Sequence, residues 1–139
     1  MSENPRPRVL CIEDEGDILE LLKIILDRDG FECITALGGV DGIHKATSDP
    51  PDLILLDLMM PDMNGWEVLK YLQEHEALRY IPVIILTVKD RYSEPDIDKK
   101  VGDMAALMTK PFEFSKLTQR IRDVLGMESS EVDWPTPVL

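Results

Sequence analysis

Basic residues are scarce in this chain. Fifteen Lys and Arg stand against 27 Asp and Glu, a formal net charge of −12 over 139 residues. That balance argues against a direct nucleic-acid partner, which needs a basic patch to neutralise phosphates, and against an anionic membrane surface. Long apolar runs are lacking too: none approaches the roughly 20 residues that span a bilayer. The first residues, Met1-Ser2-Glu3-Asn4-Pro5, have no export-signal character. Cysteine is limited to Cys11 and Cys33. Each falls in an apolar, strand-like run, so both read as buried thiols whose side chains can approach if their strands are neighbours. A disulfide is not expected in the reducing cytoplasm, where the protein is placed. The hydrophobic share of 44% is ordinary for one globular domain with a core large enough to stand alone.

Strand-like and helix-like patterns alternate along the chain, which predicts an α/β fold with a parallel sheet. Arg8-Val9-Leu10-Cys11-Ile12 is a short apolar run. Asp17 to Arg28 carries Ile18, Leu21, Leu22 and Ile25 at helical spacing, capped at Asp17 or just before it and stopped by Gly30. Glu32 to Ala36 reads as a short edge strand. Val40, Ile43 and Ala46 mark a second helix, on which His44 faces solvent, and Pro50-Pro51 ends it. Trp66, Leu69 and Leu72 mark a third, with Val68 beside them and His75 solvent-facing at its end. Phe114, Leu117, Ile121, Val124 and Leu125 form the apolar stripe of the last helix, Lys116, Arg120 and Arg122 its charged face, and Gly126 its stop. Residues 127–139 contain Pro135 and Pro137 and read as a tail or linker.

The chemistry gathers where strands end. Leu53-Ile54-Leu55-Leu56, bounded by prolines, reads as a strand buried on both faces, and it stops at Asp57. A lone acid there is commonly a cap or turn residue. The first strand, however, also ends in acids, Glu13-Asp14-Glu15. Ligands of open parallel sheets bind at the carboxyl ends of the strands. If these two strands are neighbours, Glu13, Asp14 and Asp57 form a cluster that repels itself until a cation or protons neutralise it. Hard carboxylate oxygens with room for water suit Mg²⁺. Val83-Ile84-Ile85-Leu86 ends in Thr87, and Ala106-Leu107-Met108-Thr109 ends in Lys110-Pro111-Phe112. Taken singly, Thr87 could be a β-branched strand residue and Lys110 a solvated loop charge. Together with the acids they form a set that a phosphorylated carboxylate would use, an amine and a hydroxyl facing phosphoryl oxygens.

Glu13-Asp14, Asp57 with Pro61 and Gly65 after it, Thr87, and Lys110-Pro111-Phe112 together resemble the receiver domains of two-component response regulators, over Arg8 to Leu125. The resemblance implies a doubly wound, flavodoxin-like fold of five parallel strands with helices on both faces. It divides the chain into an N-terminal extension (1–7), a receiver domain (8–126) and a flexible tail or linker (127–139). It further implies that Asp57 is the phosphoacceptor for a histidine kinase or histidine phosphotransfer protein. Asp14, Asp57 and the backbone carbonyl of Met59 would hold Mg²⁺, Glu13 would act through water, and Thr87 and Lys110 would contact the phosphoryl group. The Lys110-Pro111 bond is typically cis in this family.

The chain departs from the family pattern in four places, one of them Gly102-Asp103-Met104-Ala105-Ala106 in place of the family's Gly-Ala pair before the fifth strand. Between Thr87 and Lys110, where receivers carry an amphipathic helix, apolar residues are sparse and Pro95 removes a backbone donor, so a short helix is expected near Pro95, capped by Ser93 or Glu94. Leu107 stands three residues before the lysine, where the family often has Tyr or Phe, which implies atypical output coupling. Val88 stands where the family often has Ala, which implies a long-lived phosphoryl state. The leading expectation is a phosphoacceptor signalling domain rather than a metabolic enzyme, a monomer or weak dimer with an unknown downstream effector. The alternative is a phosphorylation-independent interaction module. An Asp-nucleophile phosphatase is disfavoured because Met59 stands where its second Asp belongs.

Overall fold

In the computed structural model, residues 6–58, 60, 64–88, 105–110 and 113–128 are described, with the backbone alone for 87–88, 105–107 and 109–110. The strands are β1 (Arg8–Glu13), β2 (Glu32–Leu37), β3 (Leu53–Asp57), β4 (Val83–Val88) and β5 (Ala105–Lys110). The helices are α1 (Gly16–Arg28), α2 (Gly39–Ser48), α3 (Gly65–Glu74) and α4 (Phe114–Leu125). The strands form one parallel sheet in the order β2-β1-β3-β4-β5. The expected α/β architecture with helices on both faces is what the chain adopts. The short helix expected near Pro95, the Lys110-Pro111 bond and the tail beyond residue 128 lie outside the described residues.

Strand position explains strand composition. β3 is interior, and all five of its residues are buried, so a continuous aliphatic run is the sequence such a strand requires. β2 is at the edge, and in it only Ala36 is buried. Alternate strand residues feed two cores. Leu10, Ile12, Ile54, Leu56 and Ile85 pack with Ala46 of α2 and with Val68, Leu69 and Leu72 of α3. On the opposite face Val9, Cys11, Leu53, Leu55, Ile84 and Leu86 pack with Leu19, Leu22 and Leu26 of α1 and with Leu117 and Ile121 of α4.

The helices depart from expectation at particular residues. α1 begins at Gly16 after Glu15, and no side chain caps it; Asp17 sits inside the first turn. Its buried stripe is Leu19, Leu22, Ile25 and Leu26. In α2, Val40 is 60% exposed, and the packing positions are Gly39, Gly42 and Ala46. In α4, Val124 is exposed and Thr118 takes a buried place. His44 is exposed as expected, whereas His75 is half-buried and its Nδ1 accepts from the Ala77 amide at 3.3 Å. Trp66 is half-buried against the α2/α3 core, the packing role expected of it.

Arg122 differs most from its expected place. It does not join a solvated face. Its Nε donates to Asp29 Oδ2 at 3.0 Å and its Nη2 to the Asp29 carbonyl at 2.7 Å, while the guanidinium lies 5.2 Å from the Phe31 ring centre. The Asp29 side chain is 0% exposed. This buried fork ties the end of α4 to the end of α1, and removing one partner of such a pair strands the other charge. Arg122→Ala is therefore expected to cost about 3 kcal/mol of unfolding free energy, measured by urea denaturation followed by circular dichroism. Arg120→Ala, on the exposed side of the same helix, should stay within about 0.5 kcal/mol, and equal losses for both would refute this role.

The turn from β3 into α3 is held by a close approach. The Gly65 amide donates to the Leu58 carbonyl at 2.9 Å. A Cβ at Gly65 would stand 2.4 Å from Leu58 Cα and 2.7 Å from the Asp57 carbonyl oxygen. Both neighbours are backbone, so neither can rotate away. Gly65→Ala should lose about 1–3 kcal/mol through overpacking, despite the better helix propensity of alanine. The same change at Gly16, where nothing lies within 4 Å, should be neutral or stabilising by up to about 1 kcal/mol. A tolerated Gly65→Ala in the same denaturation series would show that the turn is not so constrained.

Candidate functional site

The strand order reverses direction between β1 and β3, the switch point at which a doubly wound sheet opens a crevice beyond its carboxyl ends. The register pairs Ile12 with Leu56, so Glu13 and Asp57 are the next residues on two adjacent strands. Asp14 follows at the first residue beyond β1. Glu13, Asp14 and Asp57 each offer a carboxylate oxygen within 4.8 Å of the others. Glu13 is 2% and Asp57 6% exposed, while Asp14 is half-buried. The cluster foreseen from the two acidic strand ends therefore exists, and its mouth is open on the Asp14 side.

Backbone links fix the cluster's surroundings. The Glu13 carbonyl accepts from the Gly38 amide at 2.9 Å, just past β2, and the Leu58 amide donates to the Leu86 carbonyl of β4 at 3.3 Å. β4 lies beside β3 with Leu86 opposite Asp57, so Thr87 is the next residue outward at the same end of the sheet. β5 lies beside β4 with Val88 opposite Lys110, which places Lys110 at that end too. The side chains of Thr87, Leu107 and Lys110 lie outside the described set, as does Met59.

One structural residue of the site escaped the sequence reading. Asn64 caps α3: its Oδ1 accepts from the Glu67 amide at 3.0 Å, and its Nδ2 donates to Glu67 Oε1 at 3.2 Å. The signal was present as Asn64-Gly65-Trp66-Glu67, a cap residue with Glu three positions on. With Gly65, this cap sets where the loop from Asp57 must end.

The donor set fits a hard dication. Three carboxylates within one ion's reach, two of them buried and one at an open edge, offer oxygen ligands and leave room for water. Without a cation, charges so close and so little hydrated oppose one another. Among the described residues the cluster holds carboxylates and no nitrogen or sulfur ligand, a donor set unlike zinc-type coordination.

Comparison with known proteins agrees with the geometry. The model of the response regulator receiver domain matches residues 9–122. The chain is 36% identical over 132 residues to the alkaline phosphatase synthesis transcriptional regulatory protein PhoP of Bacillus subtilis, covering 93% of this chain and 52% of PhoP. It thus spans about half of that relative's length. It is 30% identical over 118 residues to the polar-differentiation response regulator DivK of Brucella ovis, covering 85% of this chain and 95% of DivK. The solved structure of the response regulator TrrA of Thermotoga maritima, in complex with Mg(2+)-BeF, superposes with a TM-score of 0.72 at 31% identity, over 85% of this chain and 98% of that one. A match over most of the chain, a shared fold and acids at the switch point lead to one conclusion: the chain belongs to the response regulator receiver domain family.

Proposed function

We propose that this receiver domain is a phosphoacceptor switch whose phosphorylated residue is Asp57. The observation that carries the reading is the burial of Asp57 at the end of β3, beside Glu13 and Asp14, in the crevice at the sheet's switch point. An oxygen of the Asp57 carboxylate attacks the phosphorus of a phosphohistidine, on a histidine kinase or a histidine phosphotransfer protein, or of a small acyl phosphate. The new O–P bond forms in line with the bond that breaks to the donor. Bound Mg²⁺ supplies positive charge against the phosphoryl oxygens. Asp14, Asp57 and the Met59 carbonyl would hold the ion, with Glu13 acting through water. Lys110 and Thr87, from the ends of β5 and β4, would donate to phosphoryl oxygens and stabilise the charge that moves onto them. Residues 8–126 form the switch module, 1–7 an extension and 127–139 a tail or linker. The module acts in signalling in the cytoplasm and passes its state to a downstream effector, as a monomer or weak dimer.

Intact-mass spectrometry after incubation with acetyl phosphate tests the reading. One added phosphoryl group that requires both Mg²⁺ and Asp57, and disappears in Asp57→Asn, is expected. An adduct that survives in Asp57→Asn would move the acceptor elsewhere. No adduct from either acetyl phosphate or a phosphorylated histidine kinase would favour a phosphorylation-independent interaction module.

Output coupling through the Leu107 position is also proposed to be atypical, because an aliphatic side chain has no polar tip with which to exchange hydrogen bonds on rotating inward. Backbone amide shifts with and without a phosphoryl mimic should then concentrate around Asp57 and Thr87 and leave α4 little moved. Shifts running through Leu107 and along α4 would contradict the proposal.

A further inference from the structure

Cys11 and Cys33 lie on the neighbouring strands β1 and β2. The register sets Val9 opposite Cys33 and Cys11 opposite Thr35, so the two cysteines are one diagonal step apart. Both point into the core covered by α1 and α4, and their Sγ atoms lie 3.5 Å apart. Both are free thiols. Their accessibility differs: Cys11 is buried and Cys33 is half-buried on the edge strand. Cys33 is thus the more accessible of the two thiols, while Cys11 has Cys33 as its neighbour in the core.

We propose that Cys11 and Cys33 form a peroxide-reactive thiol pair, in which Cys33 is oxidised first and Cys11 closes a reversible disulfide onto it. In the first step the Cys33 thiolate attacks one peroxide oxygen. The O–O bond breaks, Cys33 becomes a sulfenic acid, and the leaving hydroxide takes a proton to become water. In the second step the Cys11 sulfur attacks the Cys33 sulfur. The S–OH bond breaks, and the hydroxide leaves as water with the Cys11 proton. Two thiols are thus oxidised by two electrons, and one hydrogen peroxide is reduced to two waters.

The environment of Cys33 agrees with this order. The Cys11 hydrogen bond holds the Cys33 thiol below its ordinary range, and Lys23 acts in the same sense, against the opposing effects of burial and of Asp27. A lowered thiol with partial access is the kind that peroxide oxidises. Bond formation needs the sulfurs to close from 3.5 Å to about 2.05 Å. Of the two strands β2 is better able to give, because it is hydrogen-bonded to a neighbour on one side only, whereas β1 is paired on both. The bond would join β1 to β2 two residues before Glu13, so the modification would sit beside the acid cluster.

Native protein treated with hydrogen peroxide, quenched with catalase, then unfolded and alkylated with iodoacetamide gives the test by intact mass. The expected product has lost two hydrogens, takes no alkyl group, and recovers both alkylation sites after dithiothreitol. In Cys11→Ala the sulfenic acid on Cys33 should persist and be trapped by dimedone, whereas in Cys33→Ala the native protein should give no dimedone adduct. Wild-type protein that keeps two alkylatable thiols after peroxide would overturn the proposal. So would oxygen addition at Cys33 without loss of two hydrogens, or a disulfide between two chains. The wild-type result decides the matter even if a variant fails to fold.

Discussion

A parallel sheet covered on both faces can carry polar chemistry only where its strands stop. Within β3 every position is buried, and an unpaired polar group there would cost several kcal/mol. The carboxylates are therefore displaced to the ends, and the strand order decides which ends meet. Because β1 and β3 are adjacent while α1 and α3 leave them toward opposite faces, the crevice opens between them. Among the described residues, Glu13, Asp14 and Asp57 stand together at it. The Asn64 cap, the close seat of Gly65 under Asp57 and the Arg122–Asp29 fork hold the surrounding elements in the positions this crevice needs.

Legibility followed the same constraint. Interior strands leave a strong trace, since only an unbroken aliphatic run suits them, and an acid that ends such a run stands out against it. The family motif then assembled Asp57, Thr87 and Lys110 from positions far apart in sequence. Residues whose placement depends on a partner distant in the chain left a weaker trace. On a helical wheel Arg122 falls on the flank of the buried α4 stripe opposite Arg120 and Lys116, so grouping the three as one charged face is too coarse. The inward turn of Arg122 is set by the Asp29 carboxylate, 93 residues away in sequence, and no local pattern announces that.

The misplaced helix positions have a related cause. In α2 the close contacts are made by Gly39, Gly42 and Ala46, which let the helix lie against Ile12; a Cβ at Gly42 would stand 2.6 Å from that side chain. A stripe of small residues leaves little trace in a pattern of large apolar side chains, and that pattern places Val40 in the core where the helix leaves it exposed. In α4 the hydroxyl of Thr118 bonds to the Ser115 carbonyl at 3.2 Å, which allows a polar residue to be buried. Val124 lies at the edge of the buried face, while Leu125, one residue further along, still packs against the core. Apolar residues at helical spacing mark the face of a helix more broadly than the strip of it that is covered.

The cluster itself sets folding against function. Three carboxylates brought within 4.8 Å of one another lose hydration and repel, and both effects oppose the folded state. A cation held by these oxygens reverses the sign of the second effect, because anything bound only by the folded chain stabilises it by mass action. A phosphoryl group on Asp57, as proposed, would add charge to the same crevice, and Lys110, at the end of β5 on that side of the sheet, would offset it. On that reading the number of acids, their position at the switch point and the basic residue at the end of β5 would belong to one electrostatic balance. Its set point would depend on what occupies the crevice, and that dependence is what would let the proposed acceptor carboxylate act as a switch.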